Sequence, residues 1–398
     1  QTPADSNLAS GYGAAVVGGS DNYATGDYSF AGGGLGSQAL GVESTVSGGH
    51  INLASGEWAT ISGGQINLAS GNSSTIGGGA LIRARGDYST VSGGGGPSIS
   101  DSNAANGIYS TVGGGHANAA TFNEATVGGG VGNIASGPQA TISGGQFNLV
   151  PANEGTIGGG YGNAVSGSDA TVGGGAYNFA RGTNAVVAGG GGQILADSNS
   201  ASGAYSTIPG GTHCQASGDY SFASGRRARA DRLGSYAWAD ATNSDFTVST
   251  LWGSPNNTFN VRASGGTVFY TSSNLANYVW LAPGGSAWIS SCDSTKKDHI
   301  MPVNTASMLE KVRLLPLKEW SYKTQDPSIR HVSPMAQDFW NAFHLGEDSL
   351  GISSMDPSGV ALAAIQELAK QIAALQARVQ TLEAEKQQTT NTQFKDDK

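Results

Sequence analysis

Few side chains in this sequence are arranged for chemistry. The two cysteines, Cys214 and Cys292, are too few for a disulfide framework and have no metal-ligand spacing around them. Cys214 reads as an isolated buried thiol. His50 and His116 both stand five residues after a threonine of a recurring segment, so imidazoles gathered on a shared axis could hold an ion; ordinary surface or stacked histidines are the plainer reading. Gly93–Gly96 and Gly189–Gly192 have the glycine density of a phosphate loop, but no Lys-Ser/Thr pair and helix follow them. Aspartates and glutamates are scattered without the facing pair that glycoside hydrolysis needs. The arginines between Arg226 and Arg232 could meet an acidic ligand, although packing against neighbouring carboxylates accounts for them more simply. No cofactor and no metal is expected.

The elements that would position these residues come from a repeat. Thr-Val/Ile-Ser/Gly-Gly-Gly starts at Thr45, Thr60, Thr75, Thr90, Thr111, Thr126, Thr141, Thr156 and Thr171, mostly 15 residues apart. Degenerate copies start at Ala15, Ser29, Val186, Thr207, Ser221 and Ala237. A short fixed period of this kind predicts stacked rungs. Alternation along a strand turns Val46 to one face and Thr45 and Ser47 to the other. Val46, Ile61, Ile76, Val91, Val112, Val127, Ile142, Ile157 and Val172 then form one apolar ladder. The glycine pair after it supplies a bend. Asn-x-Ala-Ser-Gly follows, as in Asn52–Gly56 and Asn67–Gly71, marking a second short strand and a turn, with stacked asparagines able to bond rung to rung. The outward Thr-x-Ser/Gly rows resemble the threonine arrays of ice-binding solenoids, but a solvated or interprotomer β face is the plainer reading. Two steps of 21 residues carry insertions, at Gly95–Ser100 and after Gly190, each ending in Asp-Ser-Asn (Asp101–Asn103, Asp197–Asn199). A third copy at Asp5–Asn7 makes the spacing 96 residues, a duplicated super-repeat whose insertions become loops on one side.

Composition sets outer bounds. The chain has 398 residues and 63 glycines, most of them before about residue 230, and no lysine before Lys296. Glycine without a three-residue period excludes collagen, and the regular Val/Ile content argues against disorder. The net charge of −9 leaves no basic surface, so nucleic acid is not an expected partner. No apolar run approaches the ~20 residues of a membrane span. A start at Gln1 rather than Met suggests that a signal peptide or other upstream segment was removed, or that the chain was shortened.

The repeat, with its Ser-Gly-Gly and Asn-x-Ala-Ser-Gly signatures, resembles the head of YadA-type trimeric autotransporter adhesins over roughly residues 10–240. That resemblance implies three left-handed β-rolls packed side by side. About fifteen rungs at ~4.8 Å would give a head on the order of 70 Å long. Beyond it, Thr258–Val261, Thr267–Tyr270 and Tyr278–Leu281 predict a compact β neck closing the open solenoid end.

From residue 292 the sequence is similar to the endosialidase-type intramolecular chaperone domain that ends many phage tail fibres and some bacterial surface fibres. The carriers are Cys292-Asp293-Ser294-Thr295-Lys296-Lys297, Leu309–Val312, Leu315-Pro316, Trp320–Lys323, Arg330–Val332, Met335–Phe339 and Gly359–Leu362. The resemblance implies a domain that assembles a trimer and then cuts itself off with a serine and a lysine five positions later. Cys292 stands at the serine position and Lys297 at that of the lysine, with cleavage placed before Cys292. A thiol can serve as nucleophile where neighbouring lysines lower its pKa; the expectation is nevertheless that autoproteolysis, the one activity in view, is impaired. Ile365, Leu368, Ile372, Leu375, Val379 and Leu382 then form a coiled-coil seam. β-Branched residues at a with Leu at d favour two strands, whereas both resemblances imply three.

The reading is therefore a mainly β homotrimer: a parallel β-solenoid head (1–240), a β neck (241–290), an α+β chaperone domain (291–360), a coiled-coil helix (361–386) and a disordered tail (387–398). Its function would be that of an extracellular or cell-surface adhesin-like fibre meeting a surface receptor or glycan. The alternative is the tail fibre of a phage or injection system with a self-cleaving chaperone domain.

Overall fold

In the computed structural model the described residues are 6–251, 253 and 255–396, and the chain divides into two compact units, Gln1–Ser290 and Ser291–Lys398. Asp5 of the first Asp-Ser-Asn copy lies outside the described residues, as do residues 397 and 398.

The first unit is a parallel β-solenoid with two short strands per rung. Thr45–Val46 pairs with Phe30–Ala31 before it and Thr60–Ile61 after it, in strict 15-residue register. Leu53–Ala54 pairs in the same way with Gln38–Ala39 and Leu68–Ala69, within a ladder of 16 strands. The expected apolar ladder from Val46 to Val172 is fully buried. It faces a second one made mostly of alanine, Ala54, Ala69, Ala84, Ala105, Ala120 and Ala135, where methyl groups suffice because each rung is only two thin strands deep.

A third buried column precedes each threonine and takes only small residues, such as Ser44, Ala59, Ser74, Ser89, Ser110, Ala125 and Ala140. This column corrects three repeat starts. Phe30 pairs with Thr45, Phe222 with Thr207 and Tyr236 with Phe222, so Ser29 and Ser221 belong to the small column and Ala237 to the apolar ladder. The error arose because aromatic residues replace threonine on the outward face of those rungs.

Asparagines close the turns from inside. Asn148 Nδ2 donates to Gly144 O (3.1 Å) and Gly160 O (3.0 Å), while its Oδ1 accepts from Asn163 N (3.0 Å). Of each glycine pair it is the second that the fold demands. Gly64 has φ +91° and a Cβ there would lie 2.1 Å from Gly79 O, whereas a Cβ on Gly63 would meet nothing. The two insertions become short 3-10 turns, Ile99–Asp101 and Leu195–Asp197, after which the ladder resumes in register.

The parallel ladders run past residue 240. Tyr236–Ala239 pairs with Phe259–Arg262, and Ala228–Ala230 pairs with Phe246–Thr247, adding a last rung from what reads in sequence as neck. Its residues lack the Thr-Val-Gly-Gly signature, which hides it. A separate antiparallel sheet follows, Thr267–Tyr270, Tyr278–Leu281 and Trp288–Ser290.

The second unit carries three helices: α1 (Thr305–Leu314), α2 (Ala336–Phe343) and α3 (Met355–Asp396), with a hairpin of Lys318–Trp320 and His331–Ser333. Asn304 starts α1 by accepting a hydrogen bond from Ser307 N. Phe339, Phe343 and Val360 form a small core against α1. α3 continues through residues expected to be a tail from 387; that stretch is polar but holds no glycine or proline to stop a helix.

Candidate functional site

Cys292 and Lys297 are brought together by one turn of chain. Asp293 Oδ1 accepts from Thr295 N (2.9 Å), and Ser294–Lys296 winds into a 3-10 turn. Lys297 N then donates to Ser294 O (3.2 Å), and the lysine side chain folds back so that Nζ donates to Cys292 Sγ at 2.9 Å. Hydrogen bonds from the Thr295 backbone and hydroxyl, with Lys296 adding, hold the Asp293 carboxyl below its usual range. Asp293 is thus an ionised cap for the turn and not a proton donor. Cys292 is exposed, open to the reagents of bulk water. The contact sets the Lys297 ammonium directly against the sulfur.

The second thiol has the opposite setting. Cys214 fills a place in the asparagine column, is fully buried, and burial pushes its pKa up. Its Sγ lies 3.2 Å from Gly225 O. It plugs the column and has no access to a substrate.

The remaining sequence candidates resolve into structural parts. His116 Nε2 meets Asp101 Oδ1 at 3.1 Å, and Asp101 in turn accepts from Ser98 N in the first inserted loop. His50 is a rung residue whose backbone bridges to Leu35 and Gln65. Arg227 and Arg229 both pair with Asp245, at 3.1 and 2.7 Å, so the arginine cluster does pack against neck carboxylates. Gly94 and Gly95 form a turn leading to a 3-10 segment and not to a phosphate-binding helix. Among the described residues no group of histidine, cysteine, aspartate or glutamate could hold a metal, and no helix is long and apolar enough to cross a membrane.

Sequence reasoning missed an exposed aromatic edge. Tyr28, Trp58, Tyr88, Tyr109, Tyr205 and Tyr220 all sit at the same turn position, two residues before the first strand of a rung, each with φ near +57°. Tyr88 and Tyr109 stack at 4.9 Å, Tyr205 and Tyr220 at 5.1 Å. The signal was available as Gly-Asp-Tyr-Ser, at Gly26–Ser29, Gly86–Ser89 and Gly218–Ser221.

Residues 292–345 match the family described as chaperone of endosialidase, and the match begins at Cys292 itself. No curated protein matches the chain.

Proposed function

We propose that the chain is one protomer of an extracellular homotrimeric fibre of the tail-fibre type, in which residues 291–398 assemble and register three solenoid heads. The observation that carries this reading is the bare seam of α3. Ile365, Leu368, Ile372, Leu375, Val379 and Leu382 are all exposed on the single chain, at the 3-and-4 spacing that two further copies of the same helix would cover. The chaperone match supports it, as does the smallness of the second unit's own core.

The head offers a matching argument. Ile51 (φ +54°, 47% exposed) and Ile66 (φ +55°, 42% exposed) hold β-branched side chains in a left-handed turn, a conformation that costs roughly 1–2 kcal/mol. An exposed isoleucine gains nothing there in a monomer; contact with a neighbouring head would offset the strain. Left-handed rolls of the YadA type, packed three abreast, provide such a contact. Those head signatures also favour a second reading, a surface adhesin, in which the same architecture is anchored to a cell and not to a particle. In either setting the outward aromatic turns are the surface left for a receptor or glycan. Cys292 and Lys297 form the autocleavage dyad of this reading, with cleavage before Cys292.

Sedimentation equilibrium or mass photometry tests the assembly. The expected mass is three times the 40.0 kDa of one chain, or three times that of the head if cleavage has occurred. A folded, stable monomer overturns the proposal.

A further inference from the structure

We infer that Cys292 makes the junction between the two units a thiol-responsive one: the Ser291–Cys292 peptide rearranges to a thioester, and a small thiol from solution completes the cut. The inference rests on the dyad reading above and specifies what the sulfur changes in it. Two observations motivate it, the 2.9 Å contact from Lys297 Nζ to an exposed Cys292 Sγ and a chaperone match that begins at this residue.

The chemistry follows from covalent geometry. A β-thiol one residue after a peptide carbonyl reaches that carbon through a five-membered ring. Cys292 thiolate attacks the Ser291 carbonyl carbon, forming the C–S bond and a tetrahedral intermediate. The C–N bond then breaks, and the Lys297 ammonium gives its proton to the departing nitrogen of Cys292. The products are a Ser291 thioester on Sγ and a free α-amine on Cys292; Lys297 recovers its proton from water. Nothing is oxidised or reduced, and the step is an isomerisation. A serine in the same place would give an oxygen ester, which water hydrolyses but thiols attack poorly. A thioester is the better electrophile toward sulfur. A small thiol, as its thiolate, attacks the Ser291 carbonyl, Cys292 sulfur leaves and takes up a proton, and the head departs as a new thioester of the added thiol. The C-terminal fragment, residues 292–398, keeps an N-terminal cysteine. Cys214 does not compete, since it is buried and its pKa is raised.

The full-length assembled protein is incubated near the ordinary thiol pKa of about 8.5, with 2-mercaptoethanesulfonate in one arm and a phosphine reductant alone in the other. Intact-mass spectrometry follows the parent, Cys292→Ser and Lys297→Ala. The parent is expected to split between residues 291 and 292 on the order of tenfold faster, or more, in the thiol arm, its head fragment carrying the mass of the added thiol. Cys292→Ser is expected to split at the same rate in both arms, with a free carboxylate at Ser291, and Lys297→Ala to stay intact. If the parent splits equally in both arms, or stays whole while Cys292→Ser splits, the thiol-responsive junction is overturned and the dyad survives. If neither the parent nor Cys292→Ser splits, the dyad reading falls, and this inference with it.

Discussion

Asn148 shows how one side chain closes a rung. Its amide donates to Gly144 O and Gly160 O, and its oxygen accepts from the backbone of Asn163, so each asparagine satisfies polar groups of its own rung and its neighbours. Leaving such a buried group without a partner costs about 1–3 kcal/mol. The column is interrupted naturally by Ser37, Ile82 and Cys214, and the rungs there still close, so one loss is tolerable. Asn148→Ala is therefore expected to lower the guanidinium midpoint by an amount equivalent to about 1–3 kcal/mol. Asn148→Asp, nearly the same shape, should cost more, because a carboxylate cannot donate to either glycine carbonyl and its charge would be buried. Equal midpoints for the two variants would mean that the column fills space without bonding. The role of these asparagines was legible in sequence because they recur at the period of the rung. The aromatic edge and the small column recur at the same period, but with mixed residue types, and a reading tuned to Thr-Val-Gly-Gly passes over them.

The last rung of the solenoid is held by a different chemistry from the rest. Asp240 accepts from Ser264 N (2.6 Å), Thr242 N (3.1 Å) and Arg262 Nε (3.1 Å), and Arg262 also donates to the carbonyls of Ser244 and Thr242. Hydrogen bonds from Ser264, followed by those from Thr242, hold the Asp240 carboxyl far below its usual range. A folded-state pKa that is depressed stabilises the fold above the unfolded carboxylate value of roughly 3.9 and loses that contribution as pH falls below it. Protection factors of residues 259–264 should therefore fall below about pH 4, while rungs such as Thr141–Ile142 and Thr156–Ile157 keep theirs. Asp240→Asn should show the faster exchange already at neutral pH and respond little to acid. Unchanged protection in the variant would remove Asp240 from the cap. The existence of closing strands was readable from Thr258–Val261, Thr267–Tyr270 and Tyr278–Leu281, and the structure places strands at Phe259–Arg262, Thr267–Tyr270 and Tyr278–Leu281. That the first of them pairs in parallel with Tyr236–Ala239 was not readable, since pairing at a step of 23 residues (Tyr236 with Phe259) depends on tertiary contacts and breaks the local period. The Cys292–Lys297 spacing was visible, whereas the 3-10 turn that folds the lysine onto the sulfur depends on the Asp293 cap, a detail of backbone geometry.

In the proposed trimer, the regularity that builds the head would leave only a weak register between chains. The outward strand threonines recur every 15 positions and the insertions recur after 96, so a neighbouring head displaced by one rung would keep its threonine rows and one displaced by a super-repeat would meet the same loops again. Parallel assembly of non-local strands is slow, and slow assembly with many near-equivalent registers favours trapped oligomers. In that trimer the seam of α3 would be a far better registrar, because its six exposed apolar residues would meet the same six on each partner or stay in water. Residues 1–290 expressed alone are accordingly expected to yield staggered or aggregated chains with no single mass. The same residues fused to an unrelated trimeric coiled coil should recover a uniform, protease-resistant trimer, which separates registration from any specific fold of the second unit. If the fusion fails while the native chain succeeds, the chaperone unit contributes more than alignment. Uniform trimers from residues 1–290 without any fusion would show that the heads register themselves, and the seam would then be a consequence of assembly and not its cause.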